Sequence, residues 1–93
     1  MFTLSSRLSF HIPYATSLKE KRKVSRSLID RVRKRFNASV AEVDTQDFHQ
    51  TLTIGVAVVS GDATHAQHSM DEIVRFMENA TEAELTGLES SLH

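Results

Sequence analysis

Nine of the eleven lysines and arginines in the chain crowd into one short segment: Lys19, Lys21, Arg22, Lys23, Arg26, Arg31, Arg33, Lys34 and Arg35. Only Glu20 and Asp30 oppose them there, a local balance of +7, while Arg7 and Arg75 face ten acids over the rest of the chain. The formal net charge of −1 therefore conceals a strong dipole. Cations at this density can neutralise phosphates and release their counterions. Arg33, Lys34 and Arg35 fall where the end of a helix would welcome positive charge. Lys19, Lys21 and Arg22 fall near its start, where the macrodipole disfavours it, so helix stability alone does not account for them.

The remaining polar residues make weaker constellations. His65 and His68, with Asp62 and Asp71 one turn to either side, have the donor types of a metal site. They lack the spacing and the glutamate of the metalloprotease motif, and a helical wheel spreads them over the polar side, so no metal ligands are expected. Asp47 and His49 with a distant serine would need a nucleophile elbow, and no Gly-x-Ser-x-Gly is present. Glu42 and Asp44, close to Asp47, are a conceivable carboxylate pair for acid–base work. Gly55, Gly61 and Gly87 are isolated, so there is no phosphate loop or dinucleotide fingerprint. The chain has no cysteine, which excludes disulfides, thiol catalysis and Cys-ligated metal. No cofactor and no catalytic residues are expected, and the reading is non-enzymatic.

The elements that carry these residues follow from periodicity. Residues 2–12 alternate: Phe2, Leu4, Leu8, Phe10 and Ile12 share one face, with Ser6 the polar break, and Pro13 ends the strand. Ser17 and Glu20 form a capping box ahead of a helix from Leu18 to Arg35. Its apolar stripe is Leu18, Val24, Leu28, Ile29, Val32 and Phe36, and Asn37 is the expected left-handed cap. Lys19, Arg22, Lys23, Arg26, Arg33 and Lys34 share the face opposite that stripe, with Arg31 and Arg35 at its flanks. Lys21 falls inside the stripe and is expected to snorkel past the sheet edge.

A short strand over 38–44 and a clear one over 50–60 come next. Asp62 then caps a second helix, whose stripe is Ala66, Met70, Ile73, Met77 and Ala80. A final strand spans 84–92, although Leu85, Leu88 and Leu92 do not share one parity. Ninety-three residues make one domain. No apolar run approaches a membrane span. The first ten residues alternate rather than run apolar, so no signal peptide is expected.

The order β-α-β-β-α-β predicts a ferredoxin-like α+β sandwich: a four-stranded antiparallel sheet, its first and third strands central, with both helices on one face. The other face is open. Its outward positions are Thr3, Ser5, Arg7, Ser9 and His11 on the first strand and Thr51, Thr53, Gly55, Ala57 and Val59 on the third. No aromatic pair stands there for base stacking, so RNA contact is expected through the basic helix to phosphates, with little base reading. The small, charge-poor face suits sheet-to-sheet packing in a homodimer instead.

Ile12-Pro13, Ser17-Leu18-Lys19-Glu20-Lys21-Arg22, Arg35-Phe36-Asn37-Ala38-Ser39-Val40-Ala41-Glu42-Val43, Gln46-Asp47 and Gly55-Val56-Ala57-Val58-Val59-Ser60 together resemble the YlxP-like family of small bacterial domains of unknown function. The resemblance runs from about Leu8 to Leu85. It implies a ferredoxin-like fold, a cytoplasmic bacterial protein and, because family genes often neighbour genes for translation factors, a link to the ribosome. It carries over no catalytic residue. His49 stands where an aromatic such as Trp is common in the family, and the chain from Thr86 onward matches poorly. The expected partner is rRNA or a ribosomal particle, held by Lys19, Arg22, Lys23, Arg26, Arg33 and Lys34. The alternative is a homo-oligomeric interaction domain with no nucleic-acid role.

Overall fold

The computed structural model describes residues 1–93. Its elements run β1 (Phe2–His11), α1 (Leu18–Arg35), β2 (Ser39–Glu42), β3 (Thr51–Ser60), α2 (Ala63–Ala80) and β4 (Glu84–Leu92). The strands make one antiparallel sheet in the order β2-β3-β1-β4. This is the ferredoxin-like α+β arrangement that the order of elements predicts. β1 and β3 are central and pair without a break from Phe2–Ser60 to His11–Thr51. α2 lies over β1 and β3, and α1 lies over β2 with β3 beside it. Leu8, Phe10, Leu52 and Ile54 rise from the sheet into Leu28, Val32, Met70 and Met77 of the helices, all almost completely buried. Each such side chain contributes roughly 1.5–3 kcal/mol when taken out of water.

Ser6, the polar break in the apolar face, is buried, and its hydroxyl lies 2.7 Å from the Ser90 hydroxyl of the neighbouring strand. A buried hydroxyl with a partner costs little.

β2 covers Ser39–Glu42 rather than the expected 38–44, and two further details need a physical account. Asn37 is not the helix cap. Phe36 holds that place with extended backbone, its N–H donating to the Val32 carbonyl, and the one non-glycine residue with positive φ is Asp44. The extended Phe36 backbone goes with packing of its ring onto Phe76 of α2, edge to face at 5.6 Å. The mismatched parity of β4 has a cause as well. Ser9 pairs with Gly87 but Phe10 pairs with Leu85, so Thr86 is an extra residue in the ladder. This β-bulge brings Leu85, Leu88 and Leu92 to the helix side of the sheet opposite Phe10, Leu8 and Leu4. The Thr86 hydroxyl donates to the Ser9 carbonyl at 3.1 Å and pins the bulge.

Candidate nucleic-acid interface

The basic face is held by a well-capped helix. Ser17 Oγ accepts the Glu20 N–H at 3.2 Å. Glu20 reaches one residue further back than a standard capping box, and its carboxylate accepts from the Thr16 N–H at 3.0 Å and the Thr16 hydroxyl at 2.8 Å. These bonds hold the Glu20 carboxyl below the usual range, the Thr16 N–H contributing most, then the Thr16 hydroxyl, with Lys23 and His49 adding attraction.

Lys19, Arg22, Lys23, Arg26, Arg33 and Lys34 are all exposed. None of them is in an ion pair: the pairs of the molecule are Arg7–Asp44, Arg7–Glu89 and Lys21–Glu42. The six are not equivalent. Arg33 donates to the Val40 carbonyl of β2 at 2.8 Å and so clamps the helix to the sheet as well as facing solvent. Arg31 and Arg35, at the flanks, are drawn toward α2. Arg31 donates to the Ala80 carbonyl at 2.9 Å, and the Arg35 guanidinium lies 5.0 Å from the Phe76 ring. Arg75 lines the same hollow as Arg35 and Phe76. The sequence reading missed Arg75, because it stands forty positions from the basic run and only the antiparallel packing of the helices unites them.

Lys21 departs most from expectation. It does not snorkel to water; it is 0% exposed. Its ammonium lies 3.0 Å from Glu42 Oε2 and donates to the carbonyls of Thr45 at 2.6 Å, Gln46 at 3.1 Å and Thr51 at 3.3 Å. Ser25 donates to the other Glu42 oxygen at 3.1 Å. The β2–β3 loop closes over the place where the side chain would have escaped, and an ammonium without water needs this many partners. Lys21 thereby ties that loop to the first turns of α1.

The weaker constellations are dispersed. Glu42 faces α1, whereas Asp44, turned by its φ of 63°, faces the open side and meets Arg7 at 3.0 Å. They lie on opposite faces of the sheet and make no carboxylate pair. Asp62 caps α2 by accepting the Thr64 N–H, and Asp71 accepts from Gln67. No three His, Asp or Glu side chains gather where they could hold a metal ion. Asp47 and His49 are both exposed in the β2–β3 loop.

The chain matches the model of the family described as "Protein of unknown function (DUF503)" over residues 4–90. It belongs to that family. It is also 35% identical over 72 residues to the uncharacterized protein YlxP of Bacillus subtilis (strain 168), covering 77% of this chain and 78% of that protein.

In this DUF503 member the open sheet face is less plain than its small residues imply. Ser5, Ser39, Ala41, Gly55, Ala57 and Ser91 floor a trough of about 450 Å³. Arg7 stands in it, bonded to Asp44 and 3.9 Å from Glu89. The expected charge-poor surface has a three-charge group at its centre. No helix is long and apolar enough to cross a membrane.

Proposed function

We propose that this domain is a non-catalytic cytoplasmic accessory protein that contacts RNA, rRNA or a ribosomal particle, through the phosphates facing α1. The observation that carries this reading is the free basic face. Lys19, Arg22, Lys23, Arg26 and Lys34 are exposed cations in no ion pair and with no hydrogen bond to the protein. A solvated helix face needs polarity, but it does not need six cations against the single carboxylate of Asp30. The bonds point the same way. Where this protein uses a cation structurally it gives it partners, as with Lys21, Arg31 and Arg33; the remaining cations are left available. Such a surface binds the backbone rather than base edges, so affinity falls steeply with salt.

The test is binding of a structured rRNA fragment by fluorescence anisotropy. The comparison protein carries Arg22→Glu, Arg26→Glu and Lys34→Glu, which leaves the Arg33 clamp in place. Loss of binding in that variant supports the reading, and absence of binding by the unmodified protein at low salt refutes it.

A second reading, a homodimer through the open sheet face, is favoured by the trough of small residues around Arg7. Two-fold packing would cover the trough of each copy with the same face of the other. A strictly monomeric mass by light scattering at micromolar concentration contradicts it.

A further inference from the structure

Two of the exposed aromatics lie at the end of the molecule where α1 begins. Tyr14 is 48% exposed in the β1–α1 loop and Phe48 is 64% exposed in the β2–β3 loop. Both loops are fixed in place. The Gln50 side-chain amide donates to the carbonyls on either side of Tyr14, Pro13 at 3.3 Å and Ala15 at 3.4 Å. The buried Lys21 ammonium holds the Thr45 and Gln46 carbonyls, and the Phe48 N–H donates to the Thr45 carbonyl at 3.1 Å. The two aromatics are therefore presented by backbone that is already ordered, so a ligand stacking on them would not bear the ordering cost of a mobile loop.

Tyr14 also borders a groove of about 350 Å³ with Val24, Leu28 and Ala80 as its other apolar residues and Lys23 and Arg31 as its cations. Glu82 is the one carboxylate lining it. The Ala80 carbonyl fixes one Arg31 nitrogen, which leaves the other donors of the guanidinium free. An aromatic wall, an apolar floor and two cations are the parts that hold an unstacked base with its phosphate. A duplex, with its bases stacked and paired, cannot use them.

We propose that Tyr14, seconded by Phe48, stacks unpaired bases of a single-stranded segment of RNA whose phosphates run along α1. This deepens the phosphate-contact reading and rests on it. It also revises the expectation of little base contact. The sheet face lacks aromatics, but the loops at the start of the basic helix supply them.

The experiment compares a labelled oligoribonucleotide without self-complementarity and the same strand annealed to its complement. Tyr14→Ala and Phe48→Ala are each expected to weaken single-strand binding on the order of tenfold. Duplex binding and the salt slope should stay unchanged, and Tyr14→Phe should retain the single-strand affinity. Tyr14 is the only tyrosine and there is no tryptophan, so its emission reports on this position alone, and stacking should quench it with the single strand and not with the duplex. Neither side chain belongs to the buried core, so the variants should fold with unchanged circular dichroism.

Equal affinity of Tyr14→Ala and the unmodified protein for the single strand overturns the stacking proposal. So does an equal loss on both RNAs, or a Tyr14→Phe variant as weak as Tyr14→Ala. In each of these cases the phosphate reading stands as long as the charge-reversed variant binds neither RNA. An unmodified protein that binds neither RNA at low salt overturns both.

Discussion

At the scale of single residues, Lys21 makes the boldest stability claim. Replacing it with Met would leave Glu42 as a buried charge without its counterion and free three backbone carbonyls. The expected cost is about 3–5 kcal/mol, as for breaking a buried ion pair from one side. Lys21→Met combined with Glu42→Leu should recover part of that loss, and urea midpoints of the four proteins in the cycle measure it. The capping residues give a milder prediction. Ser17→Ala should cost about 1 kcal/mol. Glu20 has its folded pKa lowered by the Thr16 N–H, the Thr16 hydroxyl, Lys23 and His49. Its contribution is therefore present above the unfolded carboxylate pKa and is lost as pH falls through the folded value. The stability gap between the protein and its Glu20→Gln variant should accordingly narrow in acid, as urea titrations at neutral and acid pH would show. Lys21 also shows where reading residues from the sequence stops. The helical wheel places it correctly inside the apolar stripe. Whether such a lysine escapes to water or is enclosed depends on a loop more than twenty positions away, and nothing local encodes that closure.

At the scale of elements, the two helices and the central strands were legible because each carries its own periodicity and stop signals. The span of α1 agrees with the expected Leu18 to Arg35, and α2 begins directly after the expected cap Asp62 and carries the expected stripe, with no interior Gly or Pro in either. The end of α1 was misread because Asn37 has the local chemistry of a cap, whereas Phe36 holds that place with its ring packed on Phe76. β4 was hardest. Its apolar residues change parity at Thr86, and a bulge is invisible until the partner strand is known. Deleting Thr86 should join Leu85 to Gly87 in a continuous ladder that keeps Leu85, Leu88 and Leu92 on one face, so the thermal midpoint should change little. Deleting Gly87 as well should put Leu85 and the Leu88–Leu92 half on opposite faces and lower it. Thr86→Ser, which keeps the hydroxyl bonded to Ser9, should leave the midpoint unchanged. Among the site residues, the free cations of α1 were legible from the wheel. The roles of Arg33 and Arg31 as clamps, and the approach of Arg75 to Arg35, follow from packing between elements.

At the scale of the whole molecule, the governing feature is charge segregated by element: α1 is basic, with Glu20 and Asp30 its two acids, while the other ten are spread over β2, α2, β4 and the loops. A near-neutral protein of this kind is steered by its dipole rather than by its net charge, so orientation and association rate should both depend on ionic strength. The fold presents α1 with its apolar stripe on the sheet and its cations outward, and the Lys21 network and the Gln50 amide order the loops at its start. These devices stiffen one basic surface with aromatics at one end.

The measurement that tests the central claim most directly is the salt dependence of binding to a structured rRNA fragment, for the unmodified protein and for the Arg22→Glu, Arg26→Glu, Lys34→Glu variant. If α1 contacts phosphates, log K falls linearly with log salt for the unmodified protein. The slope carries about 0.7–0.9 per phosphate contact, and the variant loses both the affinity and most of the slope. An unmodified protein that fails to bind at low salt, or binds with the same salt slope as the variant, contradicts the assignment of α1 as a phosphate-binding surface.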